Sequence, residues 1–359
     1  AKVEKAEDIK VDVKRIKSSE SAFKSCRLII TSTDELEFRD EGVFADNIKS
    51  VTRFEDKYIV EYSSEDEAEK AFNYYTNLEL EVEVDVVSNN PEVVENKDVE
   101  NNDVRNEDIA TTNRARETEP VEKVKEENQD IVVAVLDSGL NAGEEIFEGK
   151  IVEGKNFIDN TDDTSDVDGH GTSMARIVLD NVGSDSKVKI MPVKVLNDKG
   201  IGTTLTAYQG IKYAIENHAD VINLSMSGIG ESKLLESAIN EAYNNNIAVV
   251  VSAGNNNEDI KDYTPANIKN AFTIGAAEYN EDKSEINKAK YSNYGDTLDY
   301  STSGKYEYVR LIDNKKIITK AQGTSVSAAY VRSFIAMLKM MARSDEGECT
   351  PFHRGEWSL

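Results

Sequence analysis

Two hydrophobic patterns alternate along the chain from about residue 130. Continuous apolar runs that end in a turn are typical of buried parallel strands. Four such runs occur, at residues 130–139, 220–228, 247–256 and 270–277. Apolar residues at helical spacing separate them at 203–219 and 233–246, and a last helix is predicted from Ser325 to about Ala342. This alternation predicts an α/β fold with a doubly wound, mainly parallel sheet, whose functional groups gather beyond the carboxyl ends of its strands.

Residues 24–88 show a different arrangement, with four short strand-like runs and one helical run. The strand-like runs are CRLIIT, KSVTRF, KYIVEYS and LELEVEVDVV. The helical run follows Ser64, which forms a capping-box pattern with Glu67. One helix on a small antiparallel sheet predicts a separate α+β domain. Residues 1–23 are then an N-terminal extension.

An acidic segment separates these two regions. Residues 89–130 contain 13 acidic and 6 basic side chains and no aromatic residue. Such a composition buries too little apolar area to offset the entropy of ordering, so residues 89–129 are predicted to form a flexible linker. Mobile linkers are favoured sites of proteolysis, and we expect a processing site here. The α/β domain then occupies residues 130–343, and residues 344–359 form a C-terminal tail.

The net charge of the chain limits the kinds of molecule that it is expected to bind. The formal charge of −26 and the pI near 4.6 argue against nucleic acid and against an anionic membrane surface, because both need clustered Lys and Arg. No run of about 18 apolar residues occurs, so no membrane span is expected. The two cysteines, Cys26 and Cys349, lie far apart without metal-type spacing, which favours two unpaired thiols.

An aspartate, a histidine and a serine, which can act together in nucleophilic catalysis, stand at the ends of predicted strands or helices. Asp137 closes the first buried strand, His170 lies between two glycines ahead of a helix, and Ser325 opens the last helix. A serine after Gly-Thr is most often a simple helix cap. It becomes a nucleophile when an imidazole takes its proton and a carboxylate holds that imidazole in the right tautomer. Asn255, after another strand, could donate to an oxyanion.

The motifs VAVLDSG, DGHGTSMA, NLSMSG, VVVSAGNNN and GTSVSA, in that order, resemble those of the subtilisin-like serine proteases, or subtilases, over residues 130–343. The resemblance implies a serine endopeptidase that acts on polypeptides through an acyl-enzyme and needs no cofactor for its chemistry. By the same resemblance Asp137 orients histidine, His170 is general base and acid, Ser325 is the nucleophile and Asn255 is the oxyanion-hole donor.

The resemblance also extends to substrate binding and to the N-terminal domain. Gly200, Ile201 and Gly202 on one side, and Ser225, Met226, Ser227 and Gly228 on the other, resemble the two segments that bind an extended substrate. Residues 24–88 resemble the inhibitor-type propeptide of subtilases, an intramolecular chaperone. We therefore expect a zymogen that cleaves itself within residues 86–120, and a secreted or cell-surface location in a bacterium.

Some positions depart from the family pattern. Ser173 stands where most subtilases have histidine, and Ala329 stands where proline is usual. An acidic stretch, 159–169, also offers weak candidates for calcium ligands. These candidates are Asp162, Asp163, Asp166 and Asp168. Their spacing lacks the glycine and distal glutamate of a calcium loop, which favours a solvated loop, while a structural calcium ion stays open by resemblance.

Competing functions stay open beside the endopeptidase. A non-catalytic subtilase-like binding or regulatory protein would keep the fold without the chemistry. A dedicated processing protease would act on the precursor of one partner. An esterase or lipase is disfavoured, because its nucleophile motif needs a glycine two residues after the serine, where this chain has Ser327.

Overall fold

A computed structural model describes most of the two predicted domains. The described residues are 26–33, 36, 47–78, 80–89, 93–98, 130–183, 185–280, 285–312 and 315–344. Its helices are α1 (Glu65–Asn77), α2 (His170–Val182), α3 (Thr204–Glu216), α4 (Lys233–Asn244) and α5 (Thr324–Ser344). The predicted N-terminal extension, most of the linker and nearly all of the C-terminal tail, with Cys349, lie outside the described residues.

Within the described residues, the main sheet has eight strands. From one edge they are β16 (Ile286–Lys288), β15 (Phe272–Tyr279), β13 (Ala248–Ser252), β11 (Val221–Leu224), β7 (Ile131–Asp137), β9 (Val188–Lys194) and β8 (Lys155–Asn156), with β17 (Tyr300–Ser303) paired to β15. All the described pairs are parallel except β15–β16. The predicted doubly wound α/β fold is confirmed.

Strand β7 is buried on both faces, which explains its continuous apolar sequence. Successive strand residues point to opposite faces. Val133 and Val135 pack with α2 and α5, whereas Ala134 and Leu136 pack with α3 and α4. The two layers of helices therefore hold β7 at the centre and fix the position of its carboxyl end.

The N-terminal domain is a four-stranded antiparallel sheet with one helix, as its sequence predicts. Its strands are β1 (Arg27–Thr31), β2 (Ile48–Phe54), β3 (Lys57–Tyr62) and β4 (Glu81–Val84), in the order β2-β3-β1-β4. Ser64 accepts from the backbone N–H of Glu67 at 3.3 Å, which is one half of the predicted capping box. The carboxylate of Glu67 instead accepts from Asn47 and pairs with Lys70.

The small sheet also packs against the large domain. Leu28 and Ile30 of β1 lie in a cluster with α1, while Ile29 of the same strand and Ile59 of β3 join the core formed around α3 and α4. Burial on both faces accounts for the apolar run in β1, since each face has its own partner.

Further short strands pair within the large domain, and two strands from before residue 130 join that part of the chain to it. β5 (Val87–Asn89) pairs with β10 (Ile201–Thr203), and β12 (Gly228–Ile229) pairs with β14 (Tyr263–Thr264). A third set joins β6 (Val93–Asp98) and β18 (Lys305–Ile312) to the two sides of β19 (Lys315–Gln322).

The first part of the predicted flexible linker is therefore strand. Composition gave no sign of this, because the pairing of 89 with β10 and of 93–98 with β19 uses main-chain groups, which every residue has. Along the described chain, no helix is long and apolar enough to cross a membrane.

Candidate active site

The carboxyl end of β7 meets the first residue of α2. His170 Nδ1 lies 2.8 Å from Asp137 Oδ1, and the two side chains are buried, at 2 % and 0 % exposure. Gly169, at φ +92°, makes the left-handed turn that precedes the helix. The carboxylate holds the proton on Nδ1, so Nε2 is left as the basic atom. This arrangement can take a proton from a hydroxyl.

Asp166, which the sequence suggested only as a weak metal ligand, organises the loop around this pair. Its Oδ1 accepts from Ser138 Oγ and from the N–H of Gly169, both at 2.8 Å. Its Oδ2 accepts from the N–H of Thr172 at 2.9 Å and from its hydroxyl at 2.6 Å. The carboxylate therefore links the residue after Asp137 to both flanks of His170.

The four weak metal candidates do not form a common site. Asp162 pairs with Lys155 at 2.8 Å, Asp163 accepts from the N–H of Ser165, and Asp168 accepts from the N–H of His170. Asp166 has its oxygens occupied by four donors. Among the residues that the structure describes, no three His, Cys, Asp or Glu side chains converge on a metal position.

Ser325 is the second residue of α5 and is 2 % exposed. The first N–H groups of a helix have no partners within the helix, so they can donate to an anion. Thr324 directly precedes Ser325. Its backbone N–H and its hydroxyl donate to Asn255 Oδ1 at 2.9 and 3.0 Å. An N–H can only donate, so the amide oxygen must face Thr324. The Nδ2 of Asn255 therefore points away from Thr324, as the predicted oxyanion donor requires.

Helices α2 and α5 pack side by side, which sets their N-termini at the same end of the sheet. Arg332 Nη2 donates to the carbonyl of Met174 at 2.8 Å. Met174 lies about one turn after His170, and Arg332 lies two turns after Ser325. The helix that starts with the candidate base is thus tied to the helix whose first turn carries the candidate nucleophile.

The two departures from the family pattern are accommodated locally. Ser173 donates to the carbonyl of Gly169 at 3.0 Å and lies 3.1 Å from the hydroxyl of Tyr308 in β18. Ala329 is fully buried in the unbroken helix α5. Neither residue disturbs the contact between Asp137 and His170.

The two predicted substrate-binding segments face a strand of the chain itself. Gly202 pairs with Ser88 across β10 and β5, and Gly200 precedes that pair at φ +67°. Ser225, Met226 and Ser227 are buried and lead into β12. A Cβ placed on Gly228 would lie 2.7 Å from Ser88 Oγ. The segment 86–88 therefore runs between the two segments.

Two carboxylates of the N-terminal domain cap helices of the large domain. Glu83 accepts from Ser232 Oγ at 2.9 Å and from the N–H of Leu234 at 3.0 Å, at the start of α4. Asp85 accepts from the hydroxyl of Thr204 and the N–H of Leu205, both at 3.0 Å, at the start of α3. These contacts dock the small domain, and although helix N-termini favour negative charge, the desolvation of the two carboxyls outweighs that effect. Burial raises the pKa of both carboxyls.

Comparison with known proteins places this geometry in a family. The subtilase family model matches residues 128–349, more than half of the chain. The chain belongs to the subtilase family. It is 35% identical over 210 residues to subtilisin-like protease 2 of Pseudogymnoascus destructans, covering 57% of this chain and 51% of the relative. It is 31% identical over 219 residues to thermitase of Thermoactinomyces vulgaris, covering 59% of this chain and 76% of that protein.

Solved structures agree with this subtilase fold. A cold-adapted subtilisin-like serine proteinase superposes with a TM-score of 0.51 at 27% identity, covering 65% of this chain and 83% of that one. A lanthipeptide protease shares the fold, with a TM-score of 0.53 at 22% identity, covering 60% and 76% of the two chains. The chain spans about half the length of the fungal relative named first, at 51%.

Arg332 generates a prediction about this site. The side chain is fully buried, its Nε and Nη1 have no hydrogen-bond partner among the described residues, and burial lowers its pKa to about 9 against the opposing attraction of Asp137. We expect Arg332→Met to leave the melting temperature unchanged or higher, because apolar groups of similar size often replace buried ions without loss. The acid limb of the kcat/KM profile should move up by on the order of one pH unit, since no cation then opposes protonation of His170.

Arg332→Lys is the matched control, because it keeps the charge and should keep the acid limb. The measurements are thermal unfolding and pH profiles of peptide hydrolysis. An acid limb that stays in place in Arg332→Met would contradict the electrostatic role.

Proposed function

We propose that this subtilase is a serine endopeptidase that hydrolyses peptide bonds through an acyl-enzyme. The observation that carries the proposal is the 2.8 Å contact between Asp137 and the imidazole of His170, at the base of the helix that packs against the Ser325 helix. The family match over 128–349 supports it.

In the proposed reaction His170 takes the proton of the Ser325 hydroxyl as its oxygen attacks the carbonyl carbon. Asp137 holds the imidazole and stabilises its charged form. The N–H groups at the start of α5 and the Nδ2 of Asn255 donate to the developing oxyanion. His170 then gives its proton to the leaving amine, and water hydrolyses the acyl-enzyme by the same route.

A fluorophosphonate probe tests this proposal. After removal of the N-terminal domain, the parent chain should be labelled at Ser325 and Ser325→Ala should not, as read by mass spectrometry of the labelled peptide. A parent chain that stays unlabelled would instead support a non-catalytic binding protein.

We also propose that the chain is made as a zymogen that cleaves itself. Asn89 in β5 pairs with Ile201, and Val93 in β6 pairs with Gln322, three residues before Ser325. The peptide bonds joining Asn89 to Val93 therefore connect one position in the candidate substrate cleft to another beside the nucleophile helix. These bonds are the proposed cleavage sites, within the broader range 86–120 expected from sequence.

Incubation of the purified chain should produce a new N-terminus at one of residues 90–93, as read by N-terminal sequencing. Ser325→Ala should stay full length, because no nucleophile is left. Processing of that variant when purified alone would argue against self-cleavage, and a new N-terminus beyond Asp98 would argue against the proposed position.

The N-terminal domain is proposed to inhibit the processed enzyme. Strand β5 occupies the candidate cleft, and Glu83 and Asp85 anchor the domain on α4 and α3. Secretion, and polypeptides as the external substrates, are proposed from the family.

Docking of that domain should depend on pH. Burial raises the pKa of Glu83 and Asp85 in the docked state, so the complex binds more protons than its separated parts. The inhibitory complex should then weaken as pH rises above the ordinary carboxyl values of about 4. The fraction of active enzyme released from the processed complex at equilibrium measures this. The double variant Glu83→Gln, Asp85→Asn is the control and should show no such dependence, and tighter binding with rising pH would contradict the mechanism.

A further inference from the structure

Asn293 holds the loop that carries the candidate oxyanion donor. The residue lies after β16, far from Asn255 in sequence, and it is fully buried. We propose that Asn293 is a positioning residue for the oxyanion hole, which fixes the backbone on both sides of Asn255. The inference rests on the endopeptidase function proposed above and adds a residue to its machinery.

Four hydrogen bonds carry the argument. Before Asn255, Asn293 Nδ2 donates to the carbonyl of Ala253 and its backbone N–H donates to the carbonyl of Gly254, both at 2.9 Å. After Asn255, Asn293 Oδ1 accepts from the N–H of Asn256 at 2.9 Å and from that of Glu258 at 3.0 Å. One residue therefore clamps the loop on both flanks of the donor.

The loop sequence is adapted to this clamp. Gly254 has φ +100°, and a Cβ placed there would lie 2.5 Å from Asn293 Nδ2. The glycine therefore permits both the left-handed turn and the close approach of the amide. No residue with a side chain would fit here without displacing Asn293.

Thr324 fixes the other part of the donor. It binds the side-chain oxygen of Asn255, and its hydroxyl accepts from the N–H of Gly254 at 3.1 Å. Thr324 orients the side-chain amide of Asn255, while Asn293 fixes the backbone immediately before and after Asn255. Oxyanion stabilisation needs donors already in place, and small displacements of a catalytic group lower the rate strongly.

Only an amide side chain satisfies all the side-chain bonds of this site. Nδ2 must donate to a carbonyl while Oδ1 accepts from two N–H groups. Alanine leaves three backbone groups without these partners. Aspartate keeps the acceptor, but when ionised it places an oxygen against the carbonyl of Ala253.

A double-mutant cycle tests the role. The substrate is a fluorogenic peptide with the sequence of residues 86–98, and the processed enzyme is used. Asn293→Ala should lower kcat about 10- to 100-fold with KM within about twofold, because the donor acts mainly in the transition state. Asn255→Ala should lower kcat about 10²- to 10³-fold. In the double variant, Asn293→Ala should lower kcat by less than about threefold further, because no donor is left to position.

Asn156→Ala is the matched control. Asn156 is also buried, and it also donates to a loop carbonyl, that of Asp163 at 2.8 Å, while accepting from the N–H groups of Ile158 and Asp159. Its loss should lower the melting temperature without changing kcat. Equal kcat losses from Asn293→Ala in both backgrounds, or a similar kcat loss in Asn156→Ala, would overturn the positioning role.

Asn293→Asp gives a second readout if alanine prevents folding. Its kcat relative to the parent should fall as pH rises, because a protonated carboxyl can donate to the carbonyl of Ala253 and an ionised one cannot. A ratio that is flat with pH would contradict the clamp. A parent enzyme without hydrolysis would refute the proposed function and this role together, whereas additive losses would refute only the role.

Discussion

The site depends on a carboxylate that is buried at the carboxyl end of β7. Asp137 has no exposed surface, and a buried charge is stable only with donors around it. Its Oδ1 accepts from the N–H of Ser138 at 2.7 Å and faces His170 Nδ1 at 2.8 Å. The start of α2 must therefore lie against the end of β7. This is the constraint that Asp166 and the turn at Gly169 satisfy.

The position of β7 also determines how the other strands and helices of the large domain are arranged. Its alternate residues need helices on both faces, and the parallel neighbours β9 and β11 bring further carboxyl ends to the same edge. The last helix then completes one layer beside α2. Strands and helices therefore fix where Asp137, His170 and Ser325 stand along this edge.

Sequence reasoning selected candidates whose chemistry is recognisable by residue type, and it gave no positioning role to residues that act through contacts. Asp137, His170, Ser325 and Asn255 stand in short motifs at element ends. Asn293 and Asp166 act through backbone groups, and Glu83 looks like any charge in a β-strand. No local pattern distinguishes Asn293 or Glu83, because their partners lie tens of residues away or more, and Asp166 stands among several acidic residues that look alike in sequence. Strand β6 was missed because main-chain pairing leaves no trace in composition.

Two kinds of contact hold the N-terminal domain, and they differ in what they recognise. Strand pairing by β5 is open to any extended peptide, because it uses main-chain groups. The capping carboxylates Glu83 and Asp85 and the apolar contacts of Ile29 and Ile59 belong to the folded domain alone. In an intact chain the linkage keeps the strand at a high effective concentration beside the cleft. The proposed cleavage before β6 would remove that advantage, and the N-terminal domain would then stay bound only through Glu83, Asp85 and its apolar face. A peptide substrate that lacks both the capping carboxylates and the apolar face would bind only by strand pairing. Its fragments would therefore dissociate after cleavage.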